Sequence, residues 1–180
     1  SAPPMPTSRR NRWARALSWA CLSDMEIPAS APAAGDPGSD VQMPVRVHAS
    51  TVALDGRAVL ITGRAGSGKS ALALELMALG AALVADDITC LWRHGDHIFA
   101  DVPDTIRNRI EARGVGILNA ASCGPAPLAL WVDLDAQESE RLPPNRKWTA
   151  LGCDLPLLHN PGTGCFPAAI VQYLRHGRYA

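Results

Sequence analysis

The chain has 180 residues, a formal net charge of +0, and 47% hydrophobic and 19% charged residues. That length bounds it at one domain with a working core, and the balanced charge supplies no basic field for nucleic acid or an anionic membrane surface. No stretch approaches the roughly 20 apolar residues of a membrane span. Five scattered cysteines without a Cys-x-x-Cys pair argue against a disulfide framework or zinc site and suit the reducing cytoplasm.

The amino-terminal segment carries Ser8-Arg9-Arg10 ahead of an apolar run from Ala14 to Leu22. Arg15 interrupts that run, and it is too short for a targeting signal. Pro28 to Pro44 is rich in Ala, Pro, Gly, Asp and Ser and reads as linker. Residues 1–43 are therefore expected to be a disordered or non-native extension, with Met43 a natural alternative start, and residues 44–180 the folded domain.

Val45 to Leu54 alternates as a strand, Asp55-Gly56 is a hairpin signal, and Arg57 to Thr62 is the returning strand. A helix is predicted from Lys69 or Ser70 to Leu79, with Leu72, Leu76 and Leu79 on one face and Gly80 as its stop. Ala81 to Ala85 reads as a buried strand ending in Asp86-Asp87. Ile88 to Trp92 and His97 to Val102 form a second hairpin around His94-Gly95-Asp96. Pro127 to Leu134 is a further apolar strand, Pro143 to Trp148 a solvated loop, and Pro167 to His176 a helix. Hairpins beside one strand–loop–helix unit predict a mixed sheet rather than a purely parallel one.

The chemistry centres on Gly63-Arg64-Ala65-Gly66-Ser67-Gly68-Lys69-Ser70, a Gly-x-x-x-x-Gly-Lys-Ser run between that strand and that helix. Glycines let successive backbone N–H groups converge on phosphate oxygens. Lys69 brings an ammonium to the β- and γ-phosphates, and the Ser70 hydroxyl reaches Mg²⁺. Asp86 and Asp87, at the end of the next strand, offer a carboxylate for Mg²⁺ or a base beside the γ-phosphate; adjacent side chains on extended chain diverge, so one of the two faces the nucleotide. His48, alone in its strand, reads first as a satisfied structural histidine. Within Ile110-Glu111-Ala112-Arg113-Gly114-Val115-Gly116-Ile117, Glu111 can complete a metal shell where glycines permit close backbone approach, or the run is a turn between buried segments.

Taken together, His48, the phosphate loop, Val84-Ala85-Asp86-Asp87 and Ile-Glu-x-Arg-Gly-x-Gly-Ile resemble the catalytic domain of HPr kinase/phosphorylase, a bacterial family that phosphorylates a serine of the phosphocarrier protein HPr. The resemblance covers roughly Val45 to Arg141. It implies an α/β, P-loop-containing, phosphoenolpyruvate carboxykinase-like mixed β-sheet flanked by helices. It further implies that ATP sits on residues 63–70, that Ser70, Glu111 and Asp87 serve Mg²⁺, and that Asp87 is the general base. His48 would set the protonation of the carboxylates, Lys69 would hold phosphate, and Arg141 would stabilise the transferring charge. HPr as partner and a homo-hexamer follow from the same resemblance.

Two departures qualify that reading. Full-length members carry a large amino-terminal domain where this sequence has a short tail, as in the truncated alphaproteobacterial members. The basic Gly-Arg-Asn segment tied to the reverse reaction is replaced by Leu157-Leu158-His159-Asn160-Pro161-Gly162. Phosphorylase activity is therefore expected to be weak or absent. The alternatives are a kinase or hydrolase with a small-molecule acceptor, and an ATP-binding regulatory module that contacts sensor or transport-system proteins without catalysis.

Overall fold

The computed structural model describes residues 44–179; the extension expected over residues 1–43 lies outside them. Ten strands and two helices follow in the order β1 (Val45–Leu54), β2 (Arg57–Thr62), α1 (Lys69–Ala78), β3 (Ala82–Ala85), β4 (Ile88–His94), β5 (His97–Asp101), β6 (Arg109–Ala112), β7 (Gly116–Asn119), β8 (Ala126–Gln137), β9 (Arg146–Ala150), β10 (Cys153–Asn160) and α2 (Phe166–His176). A 3-10 turn, Asp104–Ile106, sits between β5 and β6.

β1 and β2 pair antiparallel from Ala49↔Thr62 to Leu54↔Arg57. Their connection, Asp55-Gly56, has positive φ at both residues (50° and 74°), the twist-matched two-residue turn. The sheet runs β2-β1-β4-β5-β8-β10-β9, with β3 on β1. Because β2 also pairs β8, five of these strands close on themselves. β8 is parallel to both β2 and β10, while the other pairings are antiparallel, so the sheet is mixed as expected. β6 and β7 form a separate hairpin.

Strand alternation divides the interior in two. Val59 and Ile61 of β2 and Leu130 and Val132 of β8 face the helices, against Leu72 and Leu76 of α1 and Phe166, Ile170 and Leu174 of α2. Ala58 and Leu60 of β2 and Leu128 of β8 face the opposite way, onto Leu91, Ile98, Ala100 and Leu155. Leu79, expected on the apolar face of α1, is 44% exposed because the helix ends at Ala78. Gly80 (φ 102°) donates to Met77 O and Ala81 to Leu76 O, which closes the helix as a Schellman motif.

Residues 143–148 are not simply a loop. Arg146 to Trp148 open β9, which pairs β10 around Leu151-Gly152, a turn with φ 49° and 75°. Three strands, β2, β8 and β10, end at one edge of the sheet, and that edge carries the phosphate loop.

Candidate active site

The chain leaves β2 at Thr62, whose hydroxyl donates to Val132 O and accepts from Trp131 Nε1 of β8. β8 grips the loop again one step later, since the Arg64 N–H donates to Asp135 Oδ2 at 2.8 Å. Gly63 (φ 148°) has to be glycine: a Cβ there would lie 2.5 Å from Ser67 Oγ and 3.2 Å from Leu134 Cβ. Lys69 is 9% exposed, and its ammonium donates to Gly63 O (2.9 Å) and Arg64 O (3.2 Å), so it lies across its own loop. Gly68 stands at the helix N-cap in the left-handed region, with no side chain capping the first-turn amides of α1.

The Asp86-Asp87 pair lies between the end of β3 and the start of β4. Ile88 N donates to Asp86 O at 2.9 Å, closing a three-residue turn around Asp87, whose φ is 70°. A turn of that hand is rare and strained. It sends the two carboxylates in opposite directions. Asp86 is 9% exposed, and its Oδ1 accepts from Ser50 Oγ (2.6 Å) and Ser70 Oγ (2.8 Å) while its Oδ2 accepts from Glu111 N (3.0 Å). Asp87 turns outward and pairs with His48 Nε2 at 3.1 Å, with side-chain exposures of 66% and 69% respectively.

Of the residues expected from sequence, the structure brings His48 to Asp87 and Lys69 to the loop. Ser70 touches Asp86, not Asp87. Glu111 is joined to the cluster through its backbone, and its side chain is exposed. Arg141 is exposed between β8 and β9, with no hydrogen bond or ion pair among the described residues. The guanidinium near the loop is instead Arg113, whose Nη2 lies 3.9 Å from where a Cβ on Gly66 would be.

Sequence reasoning assigned no role to Ser50, Arg113 or Asp135. The available signal was local: Ser50 stands two residues after His48, and Arg113 belongs to the same glycine-flanked run as Glu111. Nothing in the sequence marks Asp135 as a partner of Arg64 N, because that contact spans 71 positions.

These residues fit a magnesium nucleoside triphosphate. Ser67 Oγ is buried without a protein partner, the first-turn amides of α1 are uncapped, and Lys69 supplies a cation beside them. Among the described residues no three His, Cys, Asp or Glu side chains gather into a metal cage.

A family profile described as HPr Serine kinase C-terminal domain matches residues 40–124. The HPr kinase/phosphorylase of Alkaliphilus metalliredigens is 39% identical over 93 residues, which are 51% of this chain and 30% of that protein. That of Nitrosomonas europaea is 48% identical over 65 residues, 36% of this chain and 20% of that protein. The chain thus spans less than a third of each of these relatives. The structure of the Hpr(Ser) kinase/phosphatase from Coxiella burnetii superposes with a TM-score of 0.62 at 26% identity, covering 73% of this chain and 94% of that one.

Proposed function

We propose that this chain, whose residues 40–124 match an HPr Serine kinase C-terminal domain profile, is a Mg-ATP-dependent kinase for a serine of an HPr-like phosphocarrier. The single observation that carries this reading is the division of the two carboxylates. Asp86 is buried against the phosphate-loop serine, while Asp87 is exposed and paired with His48. A phosphotransferase acting on a protein hydroxyl needs that division, with one carboxylate on the metal side and another that a large acceptor can reach.

In this reading Lys69 and the loop amides hold the β- and γ-phosphates. Ser70, with Glu111 beside it, meets the cation, and Asp86 orients Ser70. Mg²⁺ held there would supply positive charge to offset that of the transferring phosphate. Asp87 accepts the proton as the acceptor serine oxygen bonds to the γ-phosphorus; the bond from that phosphorus to the bridging oxygen breaks, and ADP carries off the electron pair. His48 holds the Asp87 carboxylate in place. Arg113, over the loop, is the nearer candidate to neutralise equatorial phosphate oxygens, and Arg141 the second.

The reverse reaction is weak or absent in this proposal, because the segment Leu157 to Gly162 carries no arginine. Assembly as a hexamer completes the reading, and sedimentation of the purified chain tests it.

Mg-ATP and HPr from the same organism are incubated with the chain, and HPr is examined for a mass shift on serine. Asp87→Asn should abolish the shift while ATP binding survives, since Asn tolerates the left-handed backbone that Asp87 adopts. Normal turnover in that variant removes Asp87 as the base. A wild-type chain that binds ATP without any shift on HPr is a nucleotide-dependent binding module instead. Brisk pyrophosphate release from phospho-HPr and inorganic phosphate would refute the prediction of a one-way enzyme.

A further inference from the structure

β1 changes partners midway along its length. His48 pairs with Ile88 of β4, whereas Thr51 pairs with Ala85 of β3. Ala49 and Ser50 therefore lie opposite the gap that Asp86 and Asp87 fill. His48 and Ser50 are two apart on one strand, so they project to the same side. Each takes one carboxylate: His48 meets Asp87 and Ser50 meets Asp86.

Ser50 is 0% exposed, and a buried hydroxyl must find some acceptor. A backbone carbonyl would have sufficed, as Ala49 O does for the hydroxyl of Thr89 on the adjoining strand. Ser50 donates instead to a charged oxygen, the same Oδ1 that Ser70 reaches. With Glu111 N on Oδ2, three donors from three separate elements occupy most of the carboxylate's roughly four acceptor directions. Asp86 cannot turn without breaking one of them. Because Ser70 spends its proton on Oδ1, the lone pairs of its own oxygen stay free to face a cation.

We propose that Ser50 is a positioning residue, whose hydroxyl clamps Asp86 Oδ1 so that Ser70 presents its oxygen to a divalent cation at the phosphate loop. This rests on the phosphotransfer reading of the same site. Ser50 touches neither nucleotide nor metal. It acts through Asp86, and it leaves Asp87 and His48 to the acceptor side.

The test is calorimetric binding of ADP to the full chain, in EDTA and in stepped Mg²⁺, for wild type, Ser50→Ala and Ser50→Thr. Losing an orienting group behind a metal ligand should raise the Mg²⁺ concentration at half-saturation by about tenfold. ADP affinity in EDTA should stay within about twofold of wild type, since Lys69 and the loop amides are untouched. Ser50→Thr, which keeps the hydroxyl, should restore the Mg²⁺ dependence. Should Ser50→Ala fail to melt cooperatively, Ser50→Cys, with a weaker donor of similar size, is expected to fall between wild type and the tenfold loss. A wild-type chain with normal Mg²⁺ dependence and an unaltered Ser50→Ala variant overturns the proposal alone, as does an equal loss with and without metal. A wild-type chain that binds no ADP in either buffer overturns the phosphotransfer reading and this proposal together.

Discussion

Asp86 and Asp87 are neighbours in sequence and opposites in energetics. Removing Asp86 leaves the Ser50 and Ser70 hydroxyls and the Glu111 N–H without their acceptor. Asp86→Ala should therefore cost about 2 kcal/mol in urea denaturation, because the buried Ser50 hydroxyl is left unsatisfied while the partly buried Ser70 and Glu111 donors can turn to water. Asp87→Asn touches an exposed ion pair and should cost less than about 1 kcal/mol. Equal losses in the two variants would contradict this division of labour. The sequence made both carboxylates visible, and the alternation rule placed one toward the nucleotide, but it could not say which. That choice is made by the three-residue turn at Asp87, a backbone event with no residue-type signature. Ser50 was illegible for a related reason, since a serine in an apolar strand takes its meaning from the partner across the gap.

The elements divide in the same way. Where turn chemistry was explicit, as at Asp55-Gly56 and His94-Gly95-Asp96, the hairpins were legible in sequence. The β9–β10 hairpin turns instead on Leu151, a residue that rarely adopts positive φ, and β10 contains Pro156; neither signals a hairpin. The hairpin of β6 and β7 was left open between turn and site, and its outward face, with Val115 and Ile117 more than 70% exposed, breaks the burial pattern from which strands are read. The crossover leading into β6 is held by Arg107, which forms a paired contact with the buried Asp101 at 3.0 and 3.1 Å. Arg107→Ala should remove about 3 kcal/mol of stability, as expected when a buried carboxylate loses its cation, and urea midpoints measure it.

Glu138, just past β8, forms an ion pair with Arg146 at the start of β9, and this pair gives a pH signature. The N–H of Glu140, then Arg146 and His159 nearby, hold the Glu138 carboxyl below its usual range. Its contribution is present above the ordinary carboxylate pKa of about 4.3 and is lost as pH falls through the depressed native value. The stability gap between wild type and Glu138→Gln should accordingly be widest near neutrality and close in acid, as read from denaturation midpoints across that range.

For the whole molecule, β2 and β8 serve two cores at once, with Leu60 on one side and Ile61 on the other. Truncating either to Ala should cost about 3 kcal/mol. Since both cores hang on the same strands, each variant should still unfold in one transition, with fluorescence and circular dichroism coinciding. Separate transitions would mean that the helix layer and the closed strands fold independently. The mixed sheet itself was legible from hairpins beside a single phosphate-loop unit. The closure of β2 onto β8 was not, because the two strands pair across some 70 intervening positions, and no local pattern encodes such a distance.

Arg57 donates to the carbonyl of Leu174, tying the last turn of α2 to the first residue of β2. The phosphate loop leaves β2 at its other end, six residues away, or about 20 Å along an extended strand. The end of α2 and the phosphate loop therefore lie at opposite ends of β2. A fluorophore or surface tether attached at His176 would sit away from the phosphate loop, so binding at that loop could be followed on chains immobilised in a single, uniform orientation.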